Sequence, residues 1–463
     1  MTAPAQPLAK TVVRDFNRTR SLFARGAICH VPFKSLYCKP GGEVLGCCLS
    51  DRYVLGVYPE QSLRDIWKGE RIRALREAIL GRDLSLACAA CRNQLVNGNF
   101  AAFPGRWCDG IPWSRRQPTA LEFQLGNTCN LECVMCFGIY SSSVRKNREK
   151  LPELASPYGP AFEEEVGELV PGLAVTRFSG GEPFLMEIYH RIWERIVARN
   201  PRCRIHVNTN GTVLNTSVRS LLSRAAFDIV VSLDSLDPET FAAIRVNAEL
   251  GVVLENIAFF RRHTASRNRS LSISFCLIRQ NWKELPAVVR YCNEIGASLT
   301  VSPSYYPTAT SLRALPPGEL ETVSAELSRV RLPAGSERER FNRHVFESAL
   351  MVVNGWLHDA RELGREISWE EFSRCARERF ERQIELESRG LPPEERARGL
   401  ELCREKFQAT VLSVSARRTP TVLHKRIMER TNLNGAYEVF TTAAPEVLES
   451  HLEKLLDDTD WWW

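Results

Sequence analysis

Three cysteines, Cys129, Cys133 and Cys136, stand at C-x3-C-x2-C directly after an apolar run, Ala120 to Leu125, that reads as a strand. Three thiolates on a loop leaving a strand suit an iron–sulfur cluster. The spacing is too tight for a disulfide framework, and no fourth cysteine lies close by in the sequence. Three ligands leave one metal position open, and an open coordination position is where metal chemistry takes place. A zinc knuckle borrowing a distant fourth ligand is the competing use of the same thiols.

A second set of thiols lies upstream. Cys29, Gly42 and Cys47 fall at C-x12-G-x4-C, and the pair Cys88-x2-Cys91 follows. Gly41-Gly42 supplies a tight turn between two short strands, Phe33 to Tyr37 and Glu43 to Cys47, so that a hairpin brings the first two thiols together. A helix is expected over Ser62 to Leu80, with Ser62 as its N-cap and Gly81 at its end. Hairpin, helix and Cys pair assemble a four-thiolate site of Cys29, Cys47, Cys88 and Cys91. Cys48 is the alternative to Cys47, and Cys38 lies in the same hairpin. Four sulfurs suit zinc as well as iron. Cys108 reads as a linker or core residue.

The elements that must position these residues alternate after Pro118. Apolar strand candidates are Ala120 to Leu125, Ala174 to Phe178, Arg204 to Val207, Ile229 to Leu233, Leu271 to Leu277 and Leu299 to Val301. Helical stretches lie between them, at Ala161 to Leu169, Glu187 to Ala198, Ser217 to Arg224, Pro238 to Arg262 and Trp282 to Ile295. Six such βα repeats predict an α/β fold with a parallel sheet, closed or partly closed as a (β/α)6 barrel. Chemistry in such folds sits at the C-terminal ends of the strands. The second strand ends in Ser179-Gly180-Gly181-Glu182-Pro183, where two glycines let backbone approach a ligand and a carboxylate accepts an ammonium. The third ends in Asn208-Thr209-Asn210-Gly211 and the fourth in Ser232-Leu233-Asp234-Ser235, short polar groups suited to a ribose or a carboxylate. Turn chemistry and capping of the next helix are the competing use of these residues, since Asp237-Pro238-Glu239 starts one. The fifth strand leads into Arg279-Gln280-Asn281, where Asn281 either faces the site or caps the helix from Trp282.

The combination of C-x3-C-x2-C with Gly-Gly-Glu-Pro one strand later resembles the radical S-adenosylmethionine (AdoMet) enzymes. The resemblance implies a [4Fe–4S] cluster on Cys129, Cys133 and Cys136 with AdoMet on its open iron. It further implies that Gly180, Gly181, Glu182 and Pro183 receive the AdoMet amino group. Asn210, Ser232, Asp234 and Asn281 would then lie along the sugar and methionine. Met135 replaces the aromatic residue often found before the third cysteine, and the adenine pocket stays unassigned. The stretch from Cys29 to Cys91 resembles the SPASM/twitch auxiliary domain, without the later cysteines of a full SPASM domain. This implies one auxiliary [4Fe–4S] cluster, placed before the radical domain rather than after it.

Together these readings imply a radical AdoMet oxidoreductase or maturase. It would abstract hydrogen from a ribosomal peptide or from a small molecule such as a sugar, aminocyclitol or nucleoside. An electron donor such as flavodoxin or ferredoxin would reduce it. A non-catalytic iron–sulfur or zinc protein acting through a partner is the competing class, and the intact Gly180-Gly181-Glu182 argues against it.

The 463 residues allow two or three domains. We expect an auxiliary domain over 20–105, the radical domain over 115–312 and a helical C-terminal region of unassigned role over 313–463. Fifteen cysteines in clustered sets argue for metal in a reducing compartment, so cytoplasm is the expected location. No apolar run is long enough for a membrane helix. The formal charge of +6 is scattered in short basic clusters that read as solvated faces, with no nucleic-acid stripe. Ser368 to Ser388 and Pro393 to Lys406 look like amphipathic helices, with Cys375 and Cys403 as buried thiols. Trp461 to Trp463 end the sequence, where fraying is the usual expectation and docking of the indoles on this chain or a partner is the alternative.

Overall fold

The computed structural model describes residues 7–50, 53–96, 98–100, 103–363, 368–388, 392–415 and 440–448. The terminal tryptophans and the side chain of Cys375 lie outside the described residues. Among the described residues the strands are β1 Ser35–Cys38, β2 Glu43–Leu45, β3 Gly56–Val57, β4 Ala120–Phe123, β5 Val175–Phe178, β6 Arg204–Thr209, β7 Phe227–Ser232, β8 Leu271–Leu277 and β9 Ser298–Pro303. They form one sheet in the order β3-β2-β1-β4-β5-β6-β7-β8-β9. From β4 to β9 every pairing is parallel. The connections carry the helices Pro160–Leu169, Glu187–Arg199, Thr216–Arg224, Leu250–Ser266 and Leu285–Ile295. This is the expected α/β architecture of a partial (β/α)6 barrel with a helical C-terminal region.

The two faces of the sheet differ because side chains alternate along each strand. On one face Leu121, Phe123, Phe178, Val207, Phe227 and Phe275 are buried. There Phe178 packs edge-on to Trp193 at 5.2 Å, and Phe123 to Phe162 at 6.2 Å, joining sheet to helices. The opposite face is polar. Its register aligns Tyr37, Glu122, Arg177, His206 and Asp228 on one rung, and Ser232, Ser274 and Thr300 on another. Arg177 pairs with Glu122 at 3.1 Å and lies over the Trp107 ring at 4.8 Å.

The N-terminal hairpin is not a separate body. β1 pairs antiparallel with β2, through a turn in which Gly41 and Gly42 take φ of +85° and +98°. On its other edge β1 pairs parallel with β4, Ser35 against Ala120 and Cys38 against Phe123. The hairpin therefore extends the barrel sheet. The single helix expected over Ser62 to Leu80 is two, Leu63–Lys68 and Glu70–Leu80, divided where Gly69 turns extended. Ser62 does cap the first, accepting from Asp65 N at 3.1 Å. The helix expected over Pro238 to Arg262 is also two, Pro238–Ile244 and Leu250–Ser266. Asn247 between them has φ of +75°, which no helix accommodates.

The chain divides into two compact units, residues 5–304 with 330–349, and residues 305–329 with 350–463 together with the first four. In the first, fully buried Asn342 finishes the free edge of β9, accepting from Leu299 N at 2.8 Å and donating to Ala297 O at 3.0 Å. In the second, Phe380, Ile384, Leu400 and Cys403 form a core between helices Trp369–Glu387 and Pro393–Ser415. Phe407 stacks on Phe380 at 4.1 Å. No described helix is long and apolar enough to cross a membrane.

Candidate active site

The loop leaving β4 carries the three cysteines in irregular backbone, so its polar groups must find partners outside regular structure. Ser143 donates to Cys129 O at 2.7 Å, Ser141 to Leu131 O at 2.7 Å, and Asn127 to Gly138 O at 2.7 Å. From the other side Glu132 N donates to Val246 O at 3.1 Å and Val134 N to Ile244 O at 3.0 Å. Buried Leu131 anchors the middle. Arg148 closes the loop from outside, donating to Cys133 O at 3.1 Å and also to Cys136 O. The loop is thus held at both ends before any ligand arrives.

The three thiols are within electrostatic reach of one another. Burial, then Cys133 and Cys129, push the Cys136 thiol up to about 12. Burial likewise raises Cys129 and Cys133, with the guanidinium of Arg245 opposing it at Cys133. Buried thiols that repel one another's ionisation call for a cationic metal group to become thiolates. Among the described residues no three Cys, His, Asp or Glu converge on a single-ion position. A four-iron cluster is larger than one ion and takes more widely spaced donors, and three buried thiols on one pinned loop are the donor chemistry it uses.

Gly180 and Gly181 lie against the cluster loop. A Cβ on Gly181, at φ +51°, would stand 2.2 Å from Thr128 O, and one on Gly180 2.9 Å from Gly126 O. The close approach that requires glycine is therefore to this chain's own backbone. Glu182 N donates to Thr128 O at 2.7 Å, completing the seam. The Glu182 carboxylate is wholly buried and accepts from Thr209 Oγ1 at 2.7 Å, Phe184 N at 3.1 Å and Asn210 N at 2.6 Å. Burial pushes it up to about 7 in spite of these donors. Pro183 is buried and opens the short 3-10 turn Pro183–Leu185.

Asn210 joins two parts of the site. Its amide donates to Asn130 Oδ1 at 2.9 Å and lies 3.9 Å from Cys129 Sγ. Asp234, fully buried, accepts from Cys276 N at 2.6 Å and contacts Arg245 Nη2 at 2.6 Å. Arg245 in turn reaches Cys133 Sγ at 3.8 Å, so one guanidinium bridges a cluster thiol and a strand-end carboxylate. Ser232 is half-buried on the polar face of the sheet. Asn281 is brought beside Asp234 but spends its side chain on backbone: it donates to Asp234 O and Cys276 O, both at 2.9 Å, and accepts from Ile278 N at 2.9 Å. It ties the ends of β7 and β8 together and does not cap the helix that follows. Arg245 and Arg148 escaped the sequence reading. The first was hidden in an apparently continuous helix, the second in a basic run.

At the N-terminal site Cys29, Cys88 and Cys91 share one buried neighbourhood. Burial, then Cys29 and Cys91, raise Cys88; burial, opposed by the Val31 backbone and reinforced by Cys91, brings Cys29 to about 12. Cys91 stands at about 11 through burial and Cys48. Cys47 hydrogen-bonds Cys48, which raises Cys47 and lowers Cys48. Cys47 is half-buried, whereas Cys48 is exposed and feels Glu122 and Arg177 of the barrel sheet. Gly105 presses on Cys29, since a Cβ there would lie 2.7 Å from its sulfur. Cys108 is fully buried on the same turn and interacts electrostatically with Cys29.

Both cysteine-bearing stretches have counterparts among known proteins. Residues 123–292 match the family model of the radical SAM superfamily, and residues 29–92 that of SPASM, an iron-sulfur cluster-binding domain. The chain carries a radical SAM domain preceded by a SPASM domain. Such domains imply a [4Fe–4S] cluster with AdoMet, and auxiliary iron–sulfur binding. A probable GTP 3',8-cyclase of Methanocaldococcus jannaschii is 27% identical over 192 residues, 40% of this chain and 59% of that protein. The GTP 3',8-cyclase of Streptomyces coelicolor is 31% identical over 152 residues, 32% of this chain and 42% of that one. The chain thus spans about half the length of the curated relatives it matches. Streptococcus suis SuiB bound to S-adenosylmethionine aligns over 59% of this chain and 52% of that one, at 14% identity and TM-score 0.33.

Proposed function

We propose that this chain reductively cleaves AdoMet and uses the resulting radical to oxidise a substrate. The observation that carries the reading is the seam between the cluster loop and the Gly180–Glu182 turn. Glu182 N bonds Thr128 O, and Asn210 bonds both the Glu182 carboxylate and Asn130 beside the first cysteine. When bound, the cluster supplies one electron to the AdoMet sulfonium, whose carbon–sulfur cleavage gives methionine and a 5′-deoxyadenosyl radical that takes hydrogen from substrate.

The chain's own contribution is placement. Cys129, Cys133 and Cys136 hold the cluster, and the pinned loop fixes which side of it stays open. Glu182 is a buried carboxylate hydrogen-bonded by dipolar donors, with Arg245 acting on it only electrostatically, so an ammonium in contact is the counter-charge it lacks. Gly180, Gly181 and Pro183 set the backbone that presents it. Asn210, Ser232 and Asp234 line the approach from β6 and β7, and Asn281 holds the β7 and β8 ends in register. Cys29, Cys47, Cys88 and Cys91 would hold an auxiliary cluster, which would supply an electron acceptor for an oxidative reaction or an anchor for the substrate. The substrate is a ribosomal peptide or a small polar molecule such as a sugar, aminocyclitol or nucleoside. The likeness to proteins named GTP 3',8-cyclase supports a nucleoside within the second class.

The test is anaerobic. The reconstituted protein with dithionite is expected to convert AdoMet to 5′-deoxyadenosine, and the Cys129→Ala/Cys133→Ala/Cys136→Ala protein to make none. Undiminished 5′-deoxyadenosine in that variant rules the assignment out.

A further inference from the structure

A cavity of about 280 Å³ opens on helix Glu70–Leu80. Arg73, Arg76, Glu77 and Leu80 line it, spaced as one helix face. Trp113 and Arg115 line it from the segment before β4, and Phe33 from the segment before β1. The cluster loop leaves the opposite end of β4, so this cavity is separate from the AdoMet site. Three guanidiniums therefore share the cavity with one carboxylate. Among the described residues their partners are carbonyls and rings, with no ion pair. Arg73 donates to Gly69 O at 3.3 Å, and Arg115 lies over the Trp113 ring at 5.4 Å. Arg76 is the most tightly fixed. Its Nε donates to Pro32 O at 2.8 Å and its Nη1 to Trp67 O at 3.2 Å, and the group lies over the buried Trp67 ring at 4.2 Å. Its Nη2 is buried without a partner. Burial lowers this guanidinium to about 10 with no carboxylate opposing it, so it is still a cation at neutral pH. A cation desolvated without a counter-charge calls for an anion. The cavity also has an apolar wall, since Leu80 and Trp113 are both more than half exposed. A bare inorganic anion would leave that wall in water.

We propose that this cavity binds a carboxylate carried beside an apolar or aromatic side chain, as at the C-terminal residue of a peptide or in a free amino acid. Guanidiniums take a carboxylate through paired charge-assisted hydrogen bonds, and Arg73, Arg76 and Arg115 supply them. Phe33, Leu80 and Trp113 cover the side chain. The volume is at the small end of ligand cavities and suits one residue rather than a nucleotide. Glu77 on the same lining holds the ammonium when the ligand is a free amino acid. The site stands independently of the reading of the chain as an AdoMet-cleaving enzyme.

The experiment is calorimetric titration of the reconstituted full chain with four probes: N-acetyl-phenylalanine, free phenylalanine, N-acetyl-phenylalanine amide and inorganic phosphate. The two carboxylates are expected to bind one per chain, and the amide about tenfold to a hundredfold more weakly. Tighter binding of N-acetyl-phenylalanine assigns the site to a peptide end, and tighter binding of free phenylalanine to an amino acid. Arg73→Gln/Arg115→Gln changes two exposed side chains and spares the bonds of Arg76 to Pro32 and Trp67. It should weaken the carboxylate probes about tenfold while leaving thermal melting unchanged. Trp113→Ala should weaken them too, without affecting phosphate. Equal affinity for acid and amide overturns the proposal, as does binding of phosphate alone. So does carboxylate binding that Arg73→Gln/Arg115→Gln leaves intact, or none by either carboxylate at millimolar concentration.

Discussion

Glu182 makes AdoMet binding depend on pH in a way that its neighbours predict. The carboxyl is wholly buried, and burial lifts it to about 7 from the ordinary 4.5. Between those values the folded, ligand-free protein holds a proton that the unfolded chain has released. The stabilising contribution is therefore complete below pH 4.5 and is lost as pH rises through 7. Its upper bound follows from the rise from 4.5 to about 7 and is about 3 kcal/mol. An AdoMet ammonium replaces that proton. At pH 5.5 only about 3% of the carboxyl is ionised if it titrates at 7, and at pH 7.5 about three quarters. The dissociation constant for AdoMet should accordingly tighten about 25-fold between pH 5.5 and 7.5.

Equilibrium dialysis of labelled AdoMet against the unreduced, cluster-loaded protein measures this directly. Glu182→Gln is the matching perturbation, because it removes the charge and nearly keeps the shape. Its amide NH2 must face one of the three donors, either Asn210 N or the Thr209 and Phe184 pair, and a buried donor left unmatched costs about 1–3 kcal/mol. The variant should bind AdoMet weakly, and with little pH dependence over this range. A pH-independent dissociation constant in the unaltered protein refutes the reasoning. So does an equally steep one in Glu182→Gln.

Three further outcomes follow from the same contacts. Asp234→Asn leaves the Arg245 guanidinium buried without its partner, and thermal melting should show a loss of about 3–5 kcal/mol. Gly181→Ala places a Cβ 2.2 Å from Thr128 O, so the reconstituted variant should lose iron, whereas Gly110→Ala, with nothing within 4 Å, should keep it. The protein lacking Cys129, Cys133 and Cys136 should still bind about four irons and four sulfides at the N-terminal site, lose them on Cys47→Ser and keep them on Cys48→Ser; stoichiometric zinc without iron would make that site structural.

The strands were legible because parallel strands read as apolar runs closed by turn residues. β8 reads instead by alternation, with Leu271, Ile273, Phe275 and Leu277 buried and the residues between them not. Cys129, Cys133 and Cys136 were legible because a cluster loop needs local spacing, and Ser62 because a cap acts within one turn. What stayed hidden depends on distant partners. Nothing in Ser35–Cys38 announces a parallel pairing with Ala120–Phe123. Arg245 looked like one residue of a long amphipathic helix until Asn247 broke it. Gly180 and Gly181 declared a close approach, but only the folded chain shows that Gly126 and Thr128 are what they approach.

Glu182 and Asp234 are both strand-end carboxylates with no exposure, yet the fold treats them differently. Asp234 has a cation in contact: Arg245 lies 2.6 Å away, so its charge is balanced within the chain. Glu182 has three dipolar donors and no cation in contact among the described residues. These dipoles, with Arg245 acting out of contact, compensate the buried anion only in part, and burial still lifts this carboxyl to about 7. Loss of Asp234 should therefore appear as lost stability, with or without ligand. Loss of the Glu182 charge should appear mainly in what binds. A negative charge left unbalanced by folding is a binding determinant for a cation, and Asn210 sets it one residue's reach from Cys129, where the amino group of a cluster-bound AdoMet would arrive.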